Sequence, residues 1–114
     1  MAENEDLEVL TLSGELGLEN RAAIDAKFLE LAGISCVIVD LSDVLYIDST
    51  AIGIFVREEA QRRRQGKSLC FVRPSSPAVD RIFALASLDR YFAFYDDLAT
   101  AKSRCGEEFR SAQN

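Results

Sequence analysis

The stretch Val37–Phe55, VIVDLSDVLYIDSTAIGIF, decides how this chain is read. An apolar run from Ile34 to Val39 closes on the acidic Asp40. Apolar residues that continue without alternation predict a strand buried on both faces, Ile34–Asp40. The following LSDVLY reads as a short loop. Asp48-Ser49-Thr50 comes next, and an apolar pattern of helical period starts directly after it. A hydroxyl therefore stands at the mouth of a helix, where several backbone N–H groups lack intrahelical partners. Ser49 in that place can cap the helix. It can also accept a phosphoryl group, because the same position tolerates an added anion. Both readings stand at this level.

Outward from this stretch, strand and helix patterns alternate. Leu7–Leu12 is β-rich and ends at the turn signal Ser13-Gly14. Leu16-Gly17-Leu18 leads into a predicted helix from about Asn20 to Ala32, with Ile24, Phe28 and Leu31 on one face. The helix opened by Ser49 runs to Gln65 with an apolar stripe of Ile52, Phe55, Val56 and Ala60. Ser68–Val72 is the next strand. Pro74-Ser75-Ser76-Pro77 is a loop that ends in an N1 proline. Its helix carries Val79, Ile82, Phe83 and Ala86 on one face. Arg90–Tyr95 has strand character. Asp96 or Asp97 caps a last helix that aligns Leu98, Ala101, Cys105 and Phe109. Such alternation with short connections predicts an α/β fold with parallel pairing and right-handed crossovers. Pattern alone leaves the strand order open.

Composition narrows the function. The chain has 114 residues, the size of one domain, with a core expected over about 7–110. A hydrophobic share of 48% and a charged share of 28% are ordinary for a globular protein. No apolar stretch approaches the roughly 20 residues that span a bilayer, so no membrane insertion is expected. The opening MAENEDLEV lacks the basic and apolar regions of a secretory signal. A net charge of −6 argues against direct nucleic-acid binding. Histidine is absent, which excludes a Ser/His/Asp triad and a His-based zinc site within the chain.

The remaining polar candidates receive plain readings. Asp40, Asp43 and Asp48 gather near one loop, but without phosphate-cradling glycines or further acidic ligands they predict no metal site, and no cofactor is expected. Arg62-Arg63-Arg64 with Lys67 reads as a solvated helix end whose cations complement the dipole. Leu45 and Tyr46 are either exposed interface anchors or a plug into the core. Cys36, Cys70 and Cys105 match no metal or redox spacing, and three buried, reduced thiols are expected.

LTLSGEL near the start, VDLSDVLYIDSTAIG in the middle and SSPAVDRIFALASLDRYFAFYDDLATA near the end together resemble a STAS domain. More narrowly, they resemble the bacterial anti-sigma factor antagonists, over about Val9–Ala101. The resemblance implies a mixed sheet of four or five strands with about four helices packed mainly on one side. It implies a non-enzymatic cytoplasmic protein that binds an anti-sigma factor, commonly a serine kinase, and so frees a sigma factor. The kinase phosphorylates the serine at the head of the second helix, here Ser49, and a phosphatase resets it. Partner contacts are carried over to Gly17, Leu45, Tyr46, Asp48, Ser49, Thr50 and Ala51. Two positions depart from the family: Gly17 stands where an acidic residue is common, and Ala51 where glycine is usual. One strand precedes Gly14, so a shortened opening hairpin is expected. Other roles within this resemblance are a scaffold subunit of a signalling assembly or an accessory subunit of a transporter. A small α/β phosphocarrier is the enzyme-like alternative. It lacks a phosphate loop and a nucleophile–base pair.

Overall fold

A computed structural model describes residues 6–113, with side chains described as far as residue 105. The acidic opening before Asp6, including the expected shortened hairpin, and the Phe109 side chain lie outside the described residues. The elements are β1 (Leu7–Leu16), a 3-10 turn (Leu18–Asn20), α1 (Arg21–Glu30), β2 (Cys36–Ile47), α2 (Ser49–Arg64), β3 (Ser68–Val72), α3 (Pro77–Leu85), α4 (Leu88–Tyr91), β4 (Ala93–Tyr95) and α5 (Leu98–Gln113). The sheet order is β1-β2-β3-β4. Its four strands are at the low end of the expected number. The described pairings are all parallel rather than mixed.

The predicted interior strands are central: β2 and β3 pair from Cys36↔Ser68 to Asp40↔Val72. Val37, Ile38 and Val39 are fully buried, as an unbroken apolar run in a parallel sheet requires. Two boundaries differ from the sequence reading. Ser13-Gly14 does not end β1, and LSDVLY is not a loop. Both segments stay in the sheet because β2 carries one extra residue twice, between Thr11↔Asp40 and Ser13↔Asp43 and again between Gly14↔Val44 and Glu15↔Tyr46. Gly14 adopts φ +72°, which a glycine takes without the Cβ penalty and which lets β1 follow these bulges. At the first bulge, Asp40 accepts hydrogen bonds from the Ser42 N–H at 3.0 Å and its hydroxyl at 2.7 Å. Turn-like side-chain bonding is thus present inside a strand, so a local reading took it for a loop.

Two cores flank the sheet. On one face α1 to α4 close over Leu10, Leu12, Val37, Val39, Leu41 and Phe71. Ile24 and Phe28 are buried from α1, Val79 and Phe83 from α3. The buried stripe of α2 is Ala51, Ile54, Phe55, Glu59 and Arg62. Phe55 thus lies where the periodicity put it, while Ile52 and Val56 flank the stripe half-buried. On the other face α5 covers Ile38, Cys70 and Val72 with Ala101 and Cys105. The helices therefore lie mainly on one side.

The helix starts follow local chemistry. Ser76 caps α3 by accepting from the Val79 N–H at 3.4 Å, with Pro77 at the first helical position. Asp97 caps α5 by accepting from the Thr100 N–H at 2.7 Å. Of the predicted strand Arg90–Tyr95, only Ala93–Tyr95 is β; Leu88–Tyr91 forms a helical turn. The three cysteines are also not all free thiols. Cys70 and Cys105 form a disulfide, because β3 and α5 bring their Cα atoms to 5.9 Å, within the usual range for a bridge.

Candidate functional site

The carboxyl ends of β1 and β2 lie side by side, with Leu16 paired to Ile47; β2 leads into α2, and β1 leads into the 3-10 turn. The Asp48 N–H donates to the Leu16 carbonyl at 3.1 Å, which ties the two strand ends together. Asp48, not Ser49, is the N-cap of α2. One carboxylate oxygen accepts from the Thr50 N–H at 2.9 Å and the Ala51 N–H at 3.2 Å. The other accepts from the Leu18 N–H at 3.2 Å. A carboxylate reaches both a helix end and a neighbouring turn, which a serine hydroxyl in the same place cannot do with one oxygen.

That arrangement frees Ser49. It is the first residue inside the helix and is exposed, and no hydrogen bond engages its hydroxyl among the described residues. Thr50 is half-buried. Ala51 is fully buried in the first core, so its methyl group meets the sheet side rather than a partner. Of the partner contacts that the family pattern implies, Ala51 is the one whose side chain lies in the core.

Gly17 has a local reason. A Cβ built there would overlap the Asp48 carboxylate. The close approach of the turn to Asp48 admits no side chain, whatever polar contact other sequences make from this position. Asn20 completes the turn. Its side chain accepts from the Gly17 N–H at 2.8 Å and donates to the Glu15 carbonyl at 2.8 Å. Sequence reading missed Asn20 and Leu18. The spacing Gly17-x-x-Asn20, with an amide reaching back to the residue three before it, is the signal that marks Asn20.

The second bulge of β2 settles the alternative left open for Leu45 and Tyr46. An extra residue breaks the in-out alternation, so two consecutive side chains point outward. Leu45 is 71% exposed and Tyr46 52%, and Leu18 on the facing turn is 67% exposed. Exposed apolar groups thus stand at the end of β2, which leads to Ser49, and on the turn that follows the neighbouring β1. The free Ser49 hydroxyl stands at the head of α2 with the Asp48 carboxylate beside it in the chain. Such an arrangement can bind an apolar surface and can accept a charged modification.

The other polar candidates are accounted for elsewhere. Among the described residues no group of acidic or thiol side chains is arranged to hold a metal ion. Arg62 is buried, and its guanidinium donates to the carbonyls of Ser68 at 3.1 Å, Leu31 at 3.4 Å and Ile34. Lys67 donates to the Ala32 carbonyl at 2.6 Å, and Arg63 pairs with Glu59 at 2.6 Å. Arg62 and Lys67 thus clamp neighbouring segments, while Arg63 and Arg64 stay exposed on the last turn of α2, as the solvated helix end expected from the sequence requires. No helix among the described residues is long and apolar enough to cross a membrane.

Comparison with known proteins places this geometry in context. The family model described as Mlab, STAS domain matches residues 1–99. A Thermotoga neapolitana protein that carries the name of an anti-sigma factor antagonist is 30% identical over 101 residues, covering 85% of this chain and 88% of the relative. A crystal structure from Thermotoga maritima bearing the same kind of name superposes with a TM-score of 0.81 at 27% identity, covering 89% of this chain and 88% of that one. The anti-sigma factor antagonist SpoIIAA in its unphosphorylated form shares the fold, with a TM-score of 0.70 at 20% identity over 86% of this chain and 88% of that one.

Proposed function

The chain belongs to the STAS domain family, and from that premise we propose that it acts as an anti-sigma factor antagonist whose binding is switched at Ser49. Its relatives bear that name, and the family consists generally of binding proteins rather than enzymes. The partner in this reading is an anti-sigma factor with serine kinase activity. It docks on Leu18, Leu45 and Tyr46 and reaches Ser49. Transfer forms the Oγ–P bond, breaks the terminal phosphoanhydride of a nucleoside triphosphate and releases the hydroxyl proton. A phosphatase reverses the modification by hydrolysis.

The observation that carries this reading is the unengaged, exposed Ser49 hydroxyl beside an exposed apolar patch. A cap serine would have to surrender a hydrogen bond to be modified; Ser49 does not, because Asp48 supplies the cap. The consequence of modification also follows from Asp48. The added group carries about −1.5 to −2 charges. The Thr50 and Ala51 N–H groups that would receive it are already engaged by a carboxylate. The new charge is therefore left on the outer surface, directed at whatever docks there.

The test is a binding titration with the anti-sigma serine kinase of the native host. Wild type and Ser49→Ala are expected to bind alike. Phosphorylated protein and Ser49→Asp are expected to bind at least about a hundredfold more weakly, a difference of roughly 3 kcal/mol. Circular dichroism of each form is expected to be unchanged. Equal affinity of modified and unmodified protein would sink the switch. Capture of the chain by a transporter complex, with no affinity for the kinase, would replace the antagonist reading by that of an accessory subunit.

A further inference from the structure

We infer that the Cys70–Cys105 disulfide is a reducible latch that holds the C-terminal helix against the second face of the sheet. Cys70 sits in β3, at the centre of the sheet, and Cys105 sits in α5, 35 positions later. Both are buried, at 2% and 0% exposure. The bond is the covalent tie between the sheet and the helix that covers this face.

The placement of the sulfur argues for a latch rather than a general staple. The larger core, on the opposite face, contains no cysteine among its buried residues. It joins β1, β2 and β3 to α1, α2 and α3 without help from the bond. The second core is small: Ile38, Cys70, Val72, Ala101 and Cys105, with half-buried neighbours such as Leu98 and Tyr95. Among the described residues, two of its five buried ones are the bonded cysteines themselves. Opening the bond therefore removes the covalent hold on α5 and leaves the packing of the first core untouched. Local opening free energies differ widely across a fold, and a helix that packs on one face of the sheet apart from the main core can open by itself. The third cysteine, Cys36, is a free, half-buried thiol packed against the same cluster.

The chemistry balances with a dithiol as the reductant. One thiolate of the dithiol attacks a sulfur of the Cys70–Cys105 bond, giving a mixed disulfide and releasing the other cysteine as a thiolate. The second thiol of the reagent then closes on the first. The reagent leaves as its own disulfide, two electrons pass to the protein, and Cys70 and Cys105 each take up a proton. Because both sulfurs are buried, attack requires a transient opening of α5. Reduction is expected to be slow in the native protein and faster at low, non-denaturing concentrations of urea.

This latch does not rest on the Ser49 switch and is tested without a partner. The full chain, unfolded in a thiol-alkylating reagent without reductant, is expected to take up one label, at Cys36, by intact mass. After dithiothreitol it should take up three. Three labels both in the untreated protein and after incubation with oxidised glutathione would overturn the bond. Hydrogen exchange of the native chain then reads the latch. Reduction is expected to speed exchange at 98–113 by at least about tenfold and leave 49–64 unchanged. Cys105→Ala should match the reduced protein and ignore dithiothreitol; Cys36→Ser should behave as wild type. Unchanged exchange on reduction, or an equal increase throughout the chain, would overturn the latch.

Discussion

Asp48 is the residue on which the candidate site depends. Its carboxylate joins the first turn of α2 to the Gly17–Leu18 turn, and its backbone N–H joins β2 to β1. Asp48→Ala should lower stability by about 1–2 kcal/mol, the cost of a lost N-cap, measured by urea denaturation. Ser49→Ala should cost under about 0.5 kcal/mol, because an exposed side chain with no cap bond has little to lose. Gly17→Ala should be destabilising by about 1–3 kcal/mol, since the new methyl would overlap the Asp48 carboxylate. In the Gly17→Ala, Asp48→Ala double variant that overlap is gone. The two costs should then sum to clearly more than the measured loss, and strict additivity in the cycle would show that the two residues do not meet.

At the scale of elements, α2 shows how one helix serves two ends of the sheet. Its amino end presents Ser49, and its carboxyl end delivers Arg62 to three carbonyls contributed by the end of α1, the loop before β2 and the start of β3. Arg62→Met keeps much of the side-chain volume but takes the guanidinium donors away from the Ser68 and Ile34 carbonyls, while the Leu31 carbonyl keeps the Ile34 N–H at 3.0 Å. A loss of at least about 2 kcal/mol is expected, against under about 0.5 kcal/mol for Arg64→Ala, an exposed side chain on the same turn. Between these ends lies Glu58. Burial raises its pKa above the ordinary glutamate value, and Arg57 and Arg62 oppose the shift. The folded chain thus holds this proton to higher pH than the unfolded chain. Stability linked to Glu58 is fully present below the ordinary value and is lost as pH rises through the raised one. Glu58→Gln should flatten the decline in melting temperature over that window. Asp97 has the opposite sign, because the hydrogen bond from the Thr100 N–H lowers its pKa. Its share is present above the ordinary aspartate value and lost as pH falls through the depressed one.

For the whole molecule, a chain of aromatic contacts unites the first face. Phe28 meets Phe55 at 6.1 Å between ring centres, Phe55 meets Phe71 at 5.4 Å, and Phe71 meets Phe92 at 4.7 Å and Phe94 at 5.5 Å. Phe83 from α3 adds contacts to Phe92 and Phe94. These rings come from α1, α2, α3, β3, β4 and the residue before β4, so their loss is felt across the fold. Phe55→Ala should cost about 3–5 kcal/mol, with fluorescence and circular dichroism losing structure in one transition. A cost under about 1 kcal/mol would mean that α2 turns another face to the sheet.

Patterns of local origin were legible in the chain itself. Unbroken apolar runs marked β2 and β3, period 3.6 marked Phe28, Phe55 and Phe83 as core, and Pro77 and the pair Asp96-Asp97 marked helix starts, because each depends on residues a few positions apart. The head of α2 was recognised from Asp-Ser-Thr, yet its roles were exchanged: both Asp48 and Ser49 are common caps, and only the position of the Gly17–Leu18 turn, some 30 residues earlier, favours the carboxylate. The bulges in β2 could not be read, since a bulge is a mismatch in register between two strands and exists only once they pair. For the same reason the outward turn of both Leu45 and Tyr46 was undecided. Arg62 reads as one cation among four until three distant carbonyls converge on it. Cys70 and Cys105 are merely apolar positions in their own segments. Their pairing is a property of β3 and α5 lying against each other, which tertiary packing alone decides.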